Sequence, residues 1–315
     1  MTTIIITTGT VTSADGTTIA YERGGRGPPL ILISSALSSR EDLRGLASLL
    51  PFTVVNYDRR GRGHSTDTQP YTIKKEVEDI AALLAIYPSA ALFGTSSGAV
   101  LALDAASTLN VPVISYEAPI IVDASRPPVP HSLAGDIDKL VESGNPAAAV
   151  RLFMKQGLGV GWLVIGLLMA MWPMWRSMVS MAKTAAYDCR ICQGVQDCRP
   201  LLDRWGFQDK EKVLVVVGEN ADESILVGNK ALAHMIGARL EVVKGAHHAS
   251  PVMNPKVLVG VITEFLEPTK VDGNAIETAE MNTSMGKTVT EIDLDAVIKA
   301  KAKAITVDPV HDQVK

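Results

Sequence analysis

From Thr3 to about Val122 the chain alternates short apolar runs with segments of helical spacing. "TIIITTGTV" and "TTIAYERGG" read as two strands joined by a turn at Asp15-Gly16, a dipeptide favoured in tight hairpins. "PLILIS" and "FTVVNYD" are continuous apolar runs, the pattern of strands buried on both faces. "SREDLRGLASLL", between them, has helical spacing. "IKKEVEDIAALLAIY" is an amphipathic helix with Ile73, Val77, Ile80, Leu83 and Leu84 on one side. The strand "AALFG", the small-residue helix "SGAVLALDAASTL" and the strand "VPVISYEAP" follow. Strands alternating with helices predict a mostly parallel central sheet covered on both faces.

Near Asp123 the pattern breaks. "DASRPPVP" is a proline-rich exit, and roughly eighty residues with helical character and little strand signal follow it. The alternation then resumes with "KVLVVVGE", "ILVGNKALAHMIG", "RLEVVKG" and "NPKVLVGVITEFLE". An interrupted α/β pattern predicts a helical cap inserted into one core: residues 1–123 form its first part, 124–210 the cap and 211–267 its second part. Residues 268–315 are polar and turn-rich, with a short amphipathic segment "EIDLDAVIKAKAKAI", and read as a C-terminal extension.

Composition narrows the partners. The 315 residues are 47% hydrophobic, enough for a large core. The net charge of −4 and the lack of a long basic run argue against nucleic acid. Cys189, Cys192 and Cys198 make an odd count, which argues against a disulfide framework and fits a reducing, cytoplasmic setting. Their C-x2-C-x5-C spacing has no histidine nearby to complete a four-ligand metal site, so no metal is expected. The N-terminus, without a basic start, does not read as a signal peptide.

"GTSSG", Gly94 to Gly98, fits G-x-S-x-G and places Ser96 between a buried strand and a helix. A sharp turn there lifts a serine hydroxyl to the carboxyl edge of the sheet, and Ser97 then offers its backbone N–H to an oxyanion. Four blocks, "YDRRGRGHS", "FGTSSGAVLALDAA", "YEAPIIVDASRP" and "KGAHH", together resemble the α/β-hydrolase superfamily, in particular a group of small serine hydrolases with a helical cap. The resemblance runs from about Ile6 to Leu266. It implies the α/β-hydrolase fold and a triad in the chain order serine, acid, histidine.

His248 falls where the family places its histidine, and His247 then takes the place of a small residue, touching the substrate channel or solvent. For the acid, the loop "ENADES" offers Asp222 first and Glu219 second, with Glu117 after "VISY" as a third candidate. The loop "YDRRGRGHS" braces the sheet in the superfamily, so Arg59, Arg60 and Arg62 read as structural or solvated. After the third strand the superfamily usually carries His-Gly. This chain has Ile33-Ser34-Ser35-Ala36, which makes Ala36 the second oxyanion donor by position and leaves Ser34 or Ser35 to aim a hydroxyl at the site, with Ser35 the candidate substrate contact.

"GLGVGWLVIGLLMAMWPMW" runs nineteen residues without a charge, but its glycines, its proline and its position between two core strands argue against a membrane span. Membrane contact is not expected, and a homodimer is an allowed assembly. The segment reads as cap helices over an apolar pocket, with Met154, Trp162, Met169, Met171, Trp172 and Trp175 as candidate walls. The expected reaction is cofactor-free hydrolysis of an ester, thioester or lactone of a hydrophobic small molecule. Two alternatives stand beside it: a non-hydrolytic lyase or cyclase acting on a polyketide-like natural product, and a non-catalytic binding protein on the same scaffold.

Overall fold

In the computed structural model, which describes residues 6–123, 126–195 and 204–267, the short runs read as core strands are strands. The strands are β1 (Thr7–Thr12), β2 (Thr18–Gly24), β3 (Pro29–Ile33), β4 (Thr53–Tyr57), β5 (Ala91–Thr95), β6 (Val113–Tyr116), β7 (Val213–Gly218) and β8 (Arg239–Val243). They form one sheet in the order β1-β2-β4-β3-β5-β6-β7-β8. The pairs β1–β2 and β2–β4 are antiparallel and the rest are parallel. Strands β5, β6 and β7 are buried at every residue, as both-face coverage requires, whereas edge strand β1 is mostly exposed. The Asp15-Gly16 turn is as expected: Gly16 takes φ +83°, and Ser13 N–H donates to Thr17 O at 2.8 Å.

Helices α1 (Ile73–Ile86), α2 (Ser97–Leu109), α3 (Leu133–Glu142), α4 (Pro146–Leu152), α5 (Trp162–Ala170), α6 (Trp172–Ser180), α7 (Ala182–Cys192), α8 (Glu223–Ile236) and α9 (Lys256–Leu266) complete the layers named here. One apolar cluster joins α1, α2 and α8 to the sheet through Ile80, Leu83, Leu101, Leu232 and Ile236. A second covers the opposite face with Leu258 and Ile262 of α9 and Leu43 and Leu46. The segment expected as a helix around Leu43 is shorter than its spacing suggested: a 3-10 turn (Arg40–Leu43) runs into a single helical turn (Arg44–Ala47). A third cluster, with Leu133, Ile137, Phe153, Ile165 and Trp175, belongs to helices α3 to α7, which are inserted between β6 and β7. By its contacts the chain divides at Pro268, so core and inserted helices form one unit; the extension from Thr269 lies outside the described residues, as does Cys198.

The crossover from β3 runs to β4 on one side, while β5 pairs with β3 on the other. Such a reversal opens a crevice at the carboxyl ends of the strands, where ligands bind in open α/β sheets. In register, Thr95 of β5 lies opposite Tyr116 of β6. The residues that follow, Ser96 and Glu117, therefore emerge side by side at that edge.

The three arginines of the loop after β4 point inward. Arg59, Arg60 and Arg62 are at most 2% exposed. Arg59 forms a fork with Glu76, two hydrogen bonds of 2.8 Å, and Arg60 forms another with Asp79 at 2.8 and 2.7 Å. These carboxylates sit on α1, whose inward face carries Glu76 and Asp79 as well as Ile80 and Leu83. The three arginines are structural; none is solvated. Removing one partner of a buried pair leaves an uncompensated charge, at a cost of ~3–5 kcal/mol. Glu76→Ala should therefore lower unfolding free energy by about that amount in urea titration, with secondary structure retained at zero denaturant.

Candidate active site

Ser96 stands between the last residue of β5 and the first of α2 with φ 55° and ψ −123°. The turn is this tight because the residues two positions to either side, Gly94 and Gly98, have no side chains. A Cβ on Gly94 would lie 2.2 Å from Gly98 O, and one on Gly98 would lie 2.5 Å from both Ile33 O and Ser34 O. The turn is pinned by Ser96 N–H donating to Tyr116 O at 2.9 Å. Since α2 begins at Ser97, its first N–H groups have no intrahelical acceptor and carry the positive end of the helix dipole.

Backbone strain gathers around this edge. Of the four non-glycine residues with positive φ among the described residues, three follow β3, β5 and β6: Leu37 (51°), Ser96 (55°) and Glu117 (47°). The fourth, Asn110, caps α2 in the left-handed conformation. Strain of this kind costs on the order of 1–3 kcal/mol per residue and persists where surrounding structure dictates it.

His248 lies in the loop after β8. Its Nδ1 is 2.7 Å from Glu117 Oε2. Glu117 is fully buried, and its other oxygen accepts the N–H of Gly218 at 2.9 Å. The loop is held by Tyr116 Oη, which donates to His247 O at 2.8 Å. The acid facing His248 is thus Glu117 and not Asp222, the first choice from sequence. Asp222 occupies the N-cap position of α8, exposed, at the cavity edge. Glu219, the second choice, accepts from Gly245 N–H at 2.9 Å.

Ser96, Ser97, Ala36 and His248 share one cavity of about 290 Å³. Its apolar wall includes Ile121, Phe153, Leu158, Val160 and Ile225. The expected wall residues lie elsewhere. Trp175 and Met154 are buried in the packing of the inserted helices. Trp162, Met169, Met171 and Trp172 lie on the outer surface, with Trp162 62% and Trp172 64% exposed. Ser35 is not in the lining; its carbonyl accepts from Arg62. His247 is also outside the lining, its ring nitrogen accepting from Ala249 N–H at 3.2 Å. No single helix among the described residues is long and apolar enough to cross a membrane, and α5 and α6 are bent by 103°.

Two charged residues in this cavity were not anticipated. Asp188 of α7 is 1% exposed. Its Oδ1 accepts from Arg59 Nη1 and Ser97 Oγ, both at 2.8 Å, and its Oδ2 accepts from Arg62 at 2.7 Å. The available signal was a single acidic residue in the helical segment "AAYDCRIC". Arg126, in the exit after β6, is the other. Cys189 and Cys192 also line the cavity as free thiols. Burial raises both thiols, Cys192 to about 12, so neither is a reactive thiolate near neutrality. Among the described residues no cluster of His, Cys, Asp and Glu is arranged to hold a metal.

Residues 30–261 match the model of the Alpha/beta hydrolase family, and the chain belongs to that family. Its structure is similar to that of an alpha/beta hydrolase from Sphaerobacter thermophilus, with 37% identity over 82% of this chain and 100% of the other and a TM-score of 0.73. It is also similar to the enol-lactonase from Burkholderia xenovorans (20% identity, 82% of this chain, 99% of the other, TM-score 0.62). A third likeness is to the esterase RhEst1 from a Rhodococcus species (20% identity, 83% and 98%, TM-score 0.56). The last two, at that identity, share the fold alone. No curated protein matches the chain.

Burial alone would raise the Asp188 carboxyl, but Arg62, Arg59 and Ser97 outweigh it and hold it below its usual value. Its contribution to stability is therefore present above the unfolded carboxylate value, near 4, and is lost as pH falls through the lower folded value. Asp188→Asn should lower stability at pH 7 by ~3–5 kcal/mol and flatten the acid limb of stability against pH, read by urea unfolding between pH 7 and pH 3.

Proposed function

We propose that the protein is a serine hydrolase acting on an ester, thioester or lactone of a small, largely apolar molecule. The observation that carries this reading is the buried Glu117 on His248 Nδ1, with His248 and the strained Ser96 opening into one cavity. A proton on Nδ1, held by Glu117, leaves Nε2 as the acceptor for the serine proton. Ser96 Oγ attacks the carbonyl carbon while Nε2 takes its proton. The N–H groups of Ser97 and Ala36 hold the developing oxyanion. The imidazolium, stabilised by Glu117, then protonates the leaving oxygen or sulfur as the acyl bond breaks. Water, deprotonated by the same Nε2, attacks the acyl-serine; the collapse returns the proton to Ser96 Oγ and releases the acid. No metal or organic cofactor enters this scheme.

The Ser97 hydroxyl has a different part. It is donated to Asp188, which steadies the residue whose amide faces the oxyanion. Ser97 thus supports a neighbouring site without serving as a second nucleophile.

Stoichiometric labelling by a fluorophosphonate, read by intact-protein mass spectrometry, is expected for the wild type and lost in Ser96→Ala and His248→Ala. Glu117→Gln should reduce the labelling rate by about 10³–10⁴-fold through the wrong tautomer, whereas Asp222→Asn should leave it close to wild type. A folded wild-type protein that is not labelled would remove acyl transfer from consideration and favour the lyase or cyclase reading.

A further inference from the structure

Beyond His248, the charged groups lining the cavity among the described residues are Asp188, Asp222 and Arg126. Asp188 is fully engaged by two guanidinium groups and a hydroxyl. Asp222 is exposed at the start of α8. Arg126 differs from both. It is only partly exposed, and the hydrogen bond found for its guanidinium runs from Nη2 to the backbone carbonyl of Gly157. Among the described residues no carboxylate lies within ion-pair distance of it, in contrast to Arg59, Arg60 and Arg62, each locked to an acid.

A guanidinium has five N–H donors in a planar fork that matches a carboxylate. Burying its charge beside a single backbone carbonyl is unfavourable unless an anion joins it. Burial presses the Arg126 pKa down, with the more distant Asp222 and Cys192 opposing. Among the described residues the cation is therefore under-compensated. The bond to Gly157 O holds one edge of the guanidinium in a cavity lining that also includes the apolar Leu158 and Val160. The cavity volume, about 290 Å³, lies at the small end of ligand sites, so its occupant is a compact molecule.

We propose that the cavity accepts a small substrate bearing a free carboxylate in addition to the bond that is cleaved, with Arg126 as the anchor for that carboxylate. The scissile bond rests on the hydrolase reading above; anion binding at Arg126 does not. Apolar walls receive the carbon chain between the two ends. The substrate class is then the half-ester, or lactone acid, of a short dicarboxylic compound.

Calorimetric binding of hexanoate and hexanamide at pH 7.5 tests the anchor without turnover. The wild type should bind hexanoate about tenfold or more tightly than hexanamide, as a charge-assisted hydrogen bond provides. Arg126→Gln, which retains a donor for Gly157 O, should erase that preference, and Arg126→Lys should retain part of it. In parallel, kcat/KM is compared for the mono-4-nitrophenyl ester of adipic acid and for 4-nitrophenyl hexanoate. The ratio should favour the acid ester in the wild type and fall by about tenfold in Arg126→Gln. Hexanoate binding no tighter than hexanamide, including no binding of either, would overturn the anchor, as would a preference that survives Arg126→Gln. If both esters are cleaved without preference, the anchor fails and the hydrolase stands. If neither is cleaved yet the hexanoate preference depends on Arg126, the hydrolase fails and the anchor stands.

Discussion

One buried carboxylate ties together parts of the chain that are far apart in sequence. Asp188, on an inserted helix, accepts from Arg59 and Arg62 of the loop after β4 and from Ser97 at the start of α2. Arg59 passes the connection to Glu76 of α1. Each ion alone would be unfavourable in the interior; together they balance, two arginines against Glu76 and Asp188. The cost of separating them makes the inserted helices and the sheet a single structural unit. Through Ser97 Oγ the same carboxylate braces the residue next to Ser96.

The sheet edge shows the same economy. Ser96 and Glu117 follow residues paired in register on adjacent strands, and both hold positive φ. The strain at each is fixed by backbone bonds, Ser96 N–H to Tyr116 O and Glu117 N–H to Val216 O, each 2.9 Å. Glu117 has no exposure, while the side chain of His248 is about half exposed. A buried carboxylate therefore faces an imidazole at the rim of the cavity.

The strands, the turn at Ser96 and the loop histidine were legible because each rests on local pattern: continuous apolar runs, glycines flanking a serine, and a loop between strand and helix. The acid was not, because "ENADES" offers carboxylates at the place the family resemblance implies. An Asp just before "ESILVGNKALAHMIG" carries a capping signal, and Glu117 directly after "VISY" marks a strand end; both were visible but weaker than loop position. The cavity wall failed for a different reason. Helix α5, "WLVIGLLMA", is apolar on all sides, so its spacing does not say which face turns inward, and only Ile165 is buried. The pairing of Glu76 and Asp79 with Arg59 and Arg60 was not legible, because the arginines arrive from a loop whose path local pattern does not specify.

The central claim is that Glu117 holds the Nδ1 proton of His248. Proton NMR of protein labelled with nitrogen-15 histidine reads that proton directly. A resonance far downfield of the amides should be present in the wild type and in Asp222→Asn, and absent in Glu117→Gln and His248→Ala. Survival of the resonance in Glu117→Gln, or its loss in Asp222→Asn, would contradict the account.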